Sequence, residues 1–375
     1  MEHLEGVRAD ARPARAVGTT GEIAVYQALP GRVVFGVGAL ERLPAEVDRL
    51  GARRALLVAS RARAEQVGER LGGLAAAAFS ELVQHVPVAI AVQARQLAAR
   101  ARADVVVSVG GGSATGLAKA IALELAVPIV AVPTTYSGSE LSDIYGLTEA
   151  GRKRTGRDPL VLPKVVVYDP ALTVSLPPRV TGASGMNALA HCVEALFGPG
   201  ANPVSSALAE HGIRVLAGAL PRAVVRPDDL DARSASLRGA WLAGSALAVA
   251  GSGFHHQLCH VLGGAFGLDH GGMHAVILPH AVRFVSPAVP GQMGLVAAAL
   301  DAVGAASGCW WLARRLGAPA SLAELGMTRA DLDRAVALCA GQVAQGPRPW
   351  AVADLRELLG AAFAGEPPGP PGAGA

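Results

Sequence analysis

Four short runs of β-branched and apolar residues, at 54–59 (RALLVA), 104–109 (DVVVSV), 128–132 (PIVAV) and 164–168 (KVVVY), alternate with helical stretches and constrain the fold more than any other feature. A strand that is apolar at nearly every position, rather than at every second one, is covered on both faces. Strands of that kind separated by helices belong to a parallel α/β sheet. Weaker strands at 33–35 and 76–83, and helices at 39–50, 62–71, 88–101 and 114–124, complete the alternation. After Pro177-Pro178 the pattern changes, and 181–197, 204–220, 232–250, 256–266, 275–284, 293–316, 329–344 and 352–362 all read as helices. A chain of 375 residues exceeds one ordinary core. The expected organisation is therefore an α/β domain over 21–175 followed by an all-α domain over 176–364. The polar, Arg-rich stretch 1–20 and the Pro/Gly-rich stretch 365–375 are expected to be disordered tails.

The charge pattern excludes one class of partner. A net charge of +3 comes from dispersed arginines, with lysine only at 119, 153 and 164, so no nucleic-acid footprint is present. No apolar run reaches the roughly 20 residues of a membrane helix, and 240–250 reads as a buried core helix. Cys192, Cys259, Cys309 and Cys339 are far apart and lack the spacing of a disulfide framework. With a charged opening segment rather than a secretory signal, the expectation is a reducing cytoplasm.

Two features carry chemistry. Six of the ten histidines fall between Gly253 and His280. His256 and His260 are four apart, as are His270 and His274, and Asn187 and His191 repeat the spacing, so on helices each pair shares a face. Such pairs are expected to line one apolar cavity suited to proton transfer or metal binding, the alternative being satisfied core histidines. The second feature is Gly110-Gly111-Gly112-Ser113, which leaves a strand and enters a helix carrying Lys119. Its glycines and the exposed amides of a helix N-terminus favour a phosphate. The neighbouring strand ends in Thr134, Thr135 and Ser139, a second small, hydroxyl-rich turn, and the pair suits a pyrophosphate. The strand at 54–59 ends in Ser60-Arg61, without the carboxylate that usually holds an adenosine ribose, so NADPH is admitted beside NADH.

At VVFGVGALERL, GGGSATGLAKAIAL, PTTYSGSELSDIYGLTE, GRKRTGRDPLVLPKVVVYDPALTVSLPP, SGMNALAHCVEALF and FHHQLCHVLGGAFGLDHGGMHAVILPH the chain resembles the iron-containing (group III) alcohol dehydrogenases. Within them it is most similar to the branch that reduces maleylacetate. The resemblance covers nearly all of the expected folded part. It implies a nucleotide-binding α/β domain, a helical domain and an active site between them, with NADH or NADPH as cofactor. It also implies a homodimer. Family members hold a divalent metal with one Asp and three His, at positions matching Asn187, His191, His256 and His270. Asn187 departs from that pattern, as does Gly116, where the wider family has Asp. A neutral carbonyl oxygen in place of the anionic ligand weakens a metal site, so none is expected.

The implied activity is NAD(P)H-dependent reduction of the carbon–carbon double bond of maleylacetate, a dicarboxylate, to 3-oxoadipate in aromatic-ring breakdown. His256 and His260 are then the oxyanion and proton donors, and His191 and His270 help bind the dianion. Lys153 neutralises a carboxylate or a cofactor phosphate, and Asn187 orients substrate or a histidine. His280 is expected to be structural, and His85 stays undecided. The alternatives are a metal-dependent alcohol or aldehyde dehydrogenase of the same family and a biosynthetic relative acting on another acidic carbonyl compound.

Overall fold

The computed structural model describes residues 31–149 and 152–369. The tail expected at 1–20, residues 21–30 of the first expected domain, and 370–375 of the last stretch lie outside the described residues. The strands are β1 (Arg32–Phe35), β2 (Ala55–Ala59), β3 (Ala75–Phe79), β4 (Val105–Gly110), β5 (Ile129–Pro133), β6 (Ile144–Glu149), β7 (Arg152–Arg157) and β8 (Val165–Tyr168). Six of them form one parallel sheet in the order β1-β8-β5-β4-β2-β3. Every residue of β2, β5 and β8 is buried, as doubly covered runs require. Each fully buried valine there stabilises the fold by about 1.5–3 kcal/mol relative to exposure. Helices α1 (Leu43–Arg49) and α2 (Arg61–Leu71) cover one face, and α3 (Val88–Arg100) and α4 (Gly112–Leu125) the other.

Strand order decides where a ligand can sit. β2 leads outward to β3, whereas β4, its neighbour on the inner side, leads the other way to β5. The crevice at the carboxyl ends of β2 and β4 is thus a topological switch point, where open α/β sheets bind ligands. The glycine loop leaves β4 at that point.

Two expectations in this half need correction. The strand expected over 76–83 ends at Phe79, and residues 80–87 leave the sheet. A two-stranded antiparallel ribbon, β6 with β7, was not foreseen. Its first strand is half-buried almost throughout and its second reads RKRTGR, so neither shows the burial period of a strand.

The remainder is helical: α5 (Pro178–Ala195), α6 (Pro203–Val225), α7 (Leu230–Ala250), α8 (Phe254–Phe266), α9 (His270–Val285), α10 (Pro290–Ala299), α11 (Ala305–Arg315), α12 (Asp331–Gln342) and α13 (Val352–Ala364). The single helix expected over 293–316 is two. Asp301 adopts a left-handed φ of +51° and Gly304 caps the next helix, which breaks the run between α10 and α11. Helix α5 is buried continuously from 185 to 195, with α6, α7 and α9 packed around it. A helix apolar on all sides is a core helix, and this one carries Asn187, His191 and Glu194.

Two glycines test the packing of α5. At Gly182 a Cβ would lie 2.6 Å from the Leu316 carbonyl oxygen, whereas at the exposed Gly218 of α6 it would meet nothing within 4 Å. Gly182→Ala is expected to destabilise by about 1–3 kcal/mol and Gly218→Ala to stabilise by about 0.5–1 kcal/mol. Urea unfolding of both variants against the wild type checks the pair. Equal midpoints would mean that α5 is not seated as described.

Candidate active site

A cleft of about 430 Å³ runs from the glycine loop to the histidines. Gly110 has φ +157°, and a Cβ there would meet Ala114 Cβ at 2.8 Å, so the turn into α4 is closed to larger residues. The Thr134 N–H donates to Gly110 O at 2.9 Å, joining this turn to the one after β5. Gly112, Ser113, Thr135 and Ser139 line the cleft. Gly110, Gly111 and Thr134 are half-buried and not part of that lining, and neither is Ser60, which is exposed at the start of α2.

The turn after β5 is pinned by buried basic and acidic side chains. Lys119 is fully buried, and its Nζ donates to Ser139 O at 2.7 Å, Ser142 O at 2.8 Å and Ile144 O at 2.6 Å. Burial pulls its ammonium down to about 7. Arg233, also fully buried, donates to Tyr136 Oη at 3.2 Å, Thr181 Oγ1 at 2.9 Å and Pro227 O at 2.9 Å, tying the turn to α5 and α7. Glu140 accepts from the Tyr168 hydroxyl at 2.7 Å.

At the other end the cleft is walled by Asn187 and His191 of α5, His256 and His260 of α8, and His270 at the start of α9. Gly138, with φ +71°, admits the His191 ring, since a Cβ there would lie 2.9 Å from Nδ1. Asn187 Nδ2 donates to Ser137 O at 3.2 Å, which leaves Oδ1 buried without a partner, as are His191 Nδ1 and His256 Nε2. The His191 and His256 rings stack at 4.9 Å. Burial, then the positive character of His256, His270 and His255, holds His191 well below its ordinary value, so it is neutral.

His256 is anchored by a residue that the sequence reading did not single out. Its Nδ1 lies 2.5 Å from Glu194 Oε2, and the same carboxylate accepts the N–H groups of Gly253 at 2.9 Å and His255 at 2.7 Å. Burial alone would raise the Glu194 carboxyl, but His256, His255 and the Gly253 N–H outweigh it and bring it to about 2. The one signal in the sequence is that Glu194 follows His191 by three on the same helix.

The expectation that all three polar pairs share one cavity is corrected. His274 turns behind the cleft, where its Nδ1 and His255 Nε2 form a buried hydrogen bond of 2.8 Å. Cys259 Sγ lies 3.8 Å from that His255 nitrogen. His280 is buried on α9 away from the lining, as expected of a structural residue. His85, left undecided, lines the cleft. The Lys153 side chain lies outside the described residues; its backbone pairs with Thr148 in the ribbon.

The chain is similar to known proteins along most of its length. Residues 30–170 match the family model described as iron-containing alcohol dehydrogenase, and 181–363 match the C-terminal model of the same family. A protein of Cupriavidus pinatubonensis named maleylacetate reductase 2 is 49% identical over 345 residues, 90% of this chain and 96% of that one. A maleylacetate reductase of Burkholderia cepacia is 46% identical over 92% of this chain and 99% of that one. The crystal structure of maleylacetate reductase from Agrobacterium tumefaciens superposes with a TM-score of 0.87, at 43% identity, over 92% of this chain and all of that one.

Four buried histidines give the stability a definite pH dependence. His191 and His274 are held well below 6.5, His255 at about 3 and His280 at about 4, by burial first in each case. The unfolded chain takes up these protons near pH 6.5 and the folded chain does not. Stability is therefore fully present above that pH and falls as pH drops below it, by about 1.4 kcal/mol per pH unit per histidine until each folded-state value is reached. Thermal unfolding followed from about pH 8 to about pH 4 is expected to show a level Tm, then a steepening fall. A Tm unchanged through that range would mean that these rings are not buried and neutral.

Proposed function

The chain belongs to the iron-containing alcohol dehydrogenase family, and we propose that it catalyses NAD(P)H-dependent reduction of the carbon–carbon double bond of maleylacetate, giving 3-oxoadipate in the breakdown of aromatic compounds. The observation that carries this reading is that Asn187, His191, His256, His260 and His270 share one cleft with the glycine loop. That arrangement sets histidine nitrogens beside a phosphate-binding turn, in a chain that matches proteins named maleylacetate reductase over nine-tenths of its length. Residues 21–175 hold the cofactor and 176–364 the substrate. Gly110, Gly111, Gly112, Ser113, Thr134, Thr135 and Ser139 receive the pyrophosphate. Ser60, exposed beside Arg61 at the switch point, leaves both NADH and NADPH admissible. The active unit is a homodimer in the cytoplasm. Among the described residues no helix is long and apolar enough to cross a membrane.

Hydride adds to the alkene carbon β to the ketone, and the electron pair moves onto the ketone oxygen as an enolate. Donors already aimed at that oxygen stabilise it without reorganisation. His256 suits this role when doubly protonated, because its Nδ1–H donates to Glu194 and its Nε2–H is left toward the cleft. His260, one turn on, delivers the proton to the α carbon and completes the reduction. His191 and His270 assist in binding the dianion, with Lys153 beside them, and Asn187 fixes orientation through its bond to Ser137.

The family's resident divalent metal does not fit the donor set at these positions. Asn187 contributes a neutral oxygen, and no carboxylate stands among the four. Among the described residues the one set of three His, Cys, Asp or Glu ligand atoms within 4.8 Å of one another is elsewhere, at His255, Cys259 and His274. No step is therefore routed through a metal.

Oxidation of NADH and NADPH by the purified protein with maleylacetate, with and without EDTA, tests the reading. Rapid oxidation that survives EDTA is expected, with His256→Ala and His260→Ala each lowering kcat by about 10²–10⁴-fold. Activity lost to EDTA and restored by zinc or iron would return the metal to the site. Turnover of simple alcohols with none on maleylacetate would make the protein an alcohol dehydrogenase.

A further inference from the structure

His85 and Val86 are consecutive non-glycine residues in the left-handed region, with φ +61° and +47°. A β-branched residue there is a genuine steric outlier. Strain of this kind persists where surrounding contacts over-determine it, and it gathers at functional sites. The contacts are present: the Thr148 hydroxyl donates to His85 O at 2.7 Å, and the Thr148 N–H donates to Val86 O at 3.0 Å. The segment between β3 and α3, residues 80–87, is longer than the roughly 2–6 residues usual for such a connection. It uses the extra length to cross to the helical half of the molecule. Gln84 Nε2 donates to Asp269 Oδ1 at 3.3 Å, and Asp269 caps α9, whose first residue is His270. The His85 ring meets the His270 ring edge-on at 6.0 Å. Gly263 makes room for it, since a Cβ there would lie 3.1 Å from His85 Cε1.

We propose that His85 is a substrate-binding residue, delivered into the cleft by the α/β half, and that its ring donates a hydrogen bond to one carboxylate of a dicarboxylate substrate. The proposal rests on the maleylacetate reading. Two anionic groups must be met in this cleft, and Lys153 answers one of them at most. The Lys119 ammonium is taken by three backbone carbonyls, and Arg179 stands at the mouth in an ion pair with Glu324 at 3.3 Å. Asp269, the nearby carboxylate, is already engaged by the Gly272 N–H at 2.7 Å and by Gln84. On that wall the His85 ring stands edge-on to His270, the residue placed at the dianion above.

His85→Asn tests this while keeping a residue that tolerates the left-handed backbone; His85→Gln serves if that variant folds poorly. The expected result is a KM for maleylacetate raised by about tenfold or more, a smaller change in kcat, and an unchanged KM for NADH and Tm. An unchanged KM for maleylacetate, or a uniform loss of kcat alone, overturns the proposal. Wild-type protein run alongside separates the two readings, because an inactive wild type strikes the maleylacetate assignment and not His85. Calorimetric titration of the NADH complex with maleate then decides the point without turnover. Weaker maleate binding in the variant supports the role, and equal binding ends it.

Discussion

One buried carboxylate holds the histidine wall of the cleft together. The N-cap of helix α8 is Gly253, a residue with no side chain to receive the first N–H groups, and a helix end buried without such a partner is unstable. Glu194 supplies the missing cap from another helix, accepting N–H groups of Gly253 and His255, and it also takes His256 Nδ1. A single anion thus caps the helix, sits at the favourable end of its dipole and sets which nitrogen of His256 faces the cleft. Because α5 is buried on all sides, Glu194 has no freedom to leave, and the position of His256 follows from the packing of a helix 62 residues away in sequence.

The opposite wall is organised by the same means with the sign reversed. Lys119 and Arg233 are fully buried cations whose partners are mainly backbone carbonyls and hydroxyls rather than carboxylates. Each gathers oxygen atoms from segments that would otherwise diverge: Ser139, Ser142 and Ile144 for one, and Tyr136, Thr181 and Pro227 for the other. The turn after β5 is shaped before any ligand arrives, which is the condition for electrostatic preorganisation.

The parts of this arrangement that were legible in the sequence are those encoded locally. The apolar runs at 54–59, 104–109, 128–132 and 164–168 announce doubly covered strands, and the glycine turn and the spacing of His256 and His260 announce a site. What depends on distant partners was hidden. His274 shares the spacing of the cleft histidines, yet His255 claims its Nδ1 from behind, and no periodicity separates a residue facing a cavity from one facing a neighbouring helix. Glu194 reads as an ordinary helical glutamate until α8 is packed against it. His85 is isolated in sequence and reaches the site through a backbone excursion that only the sheet edge and the β6–β7 ribbon together define. Ser60 sits at the expected strand end but outside the cleft lining, since strand position alone does not say which way a side chain points.

The buried cations also set how the molecule responds to salt. Charges exposed to solvent lose their mutual influence over about 8 Å at physiological ionic strength, whereas buried ones are screened far less. The turn held by Lys119 and Arg233 therefore keeps its shape across a wide range of electrolyte. The attraction that draws a dianionic substrate and a polyanionic cofactor toward the cleft mouth, near the exposed Arg179, does not. Ionic strength acts on how quickly ligands reach this protein, and leaves the surface they meet unaltered.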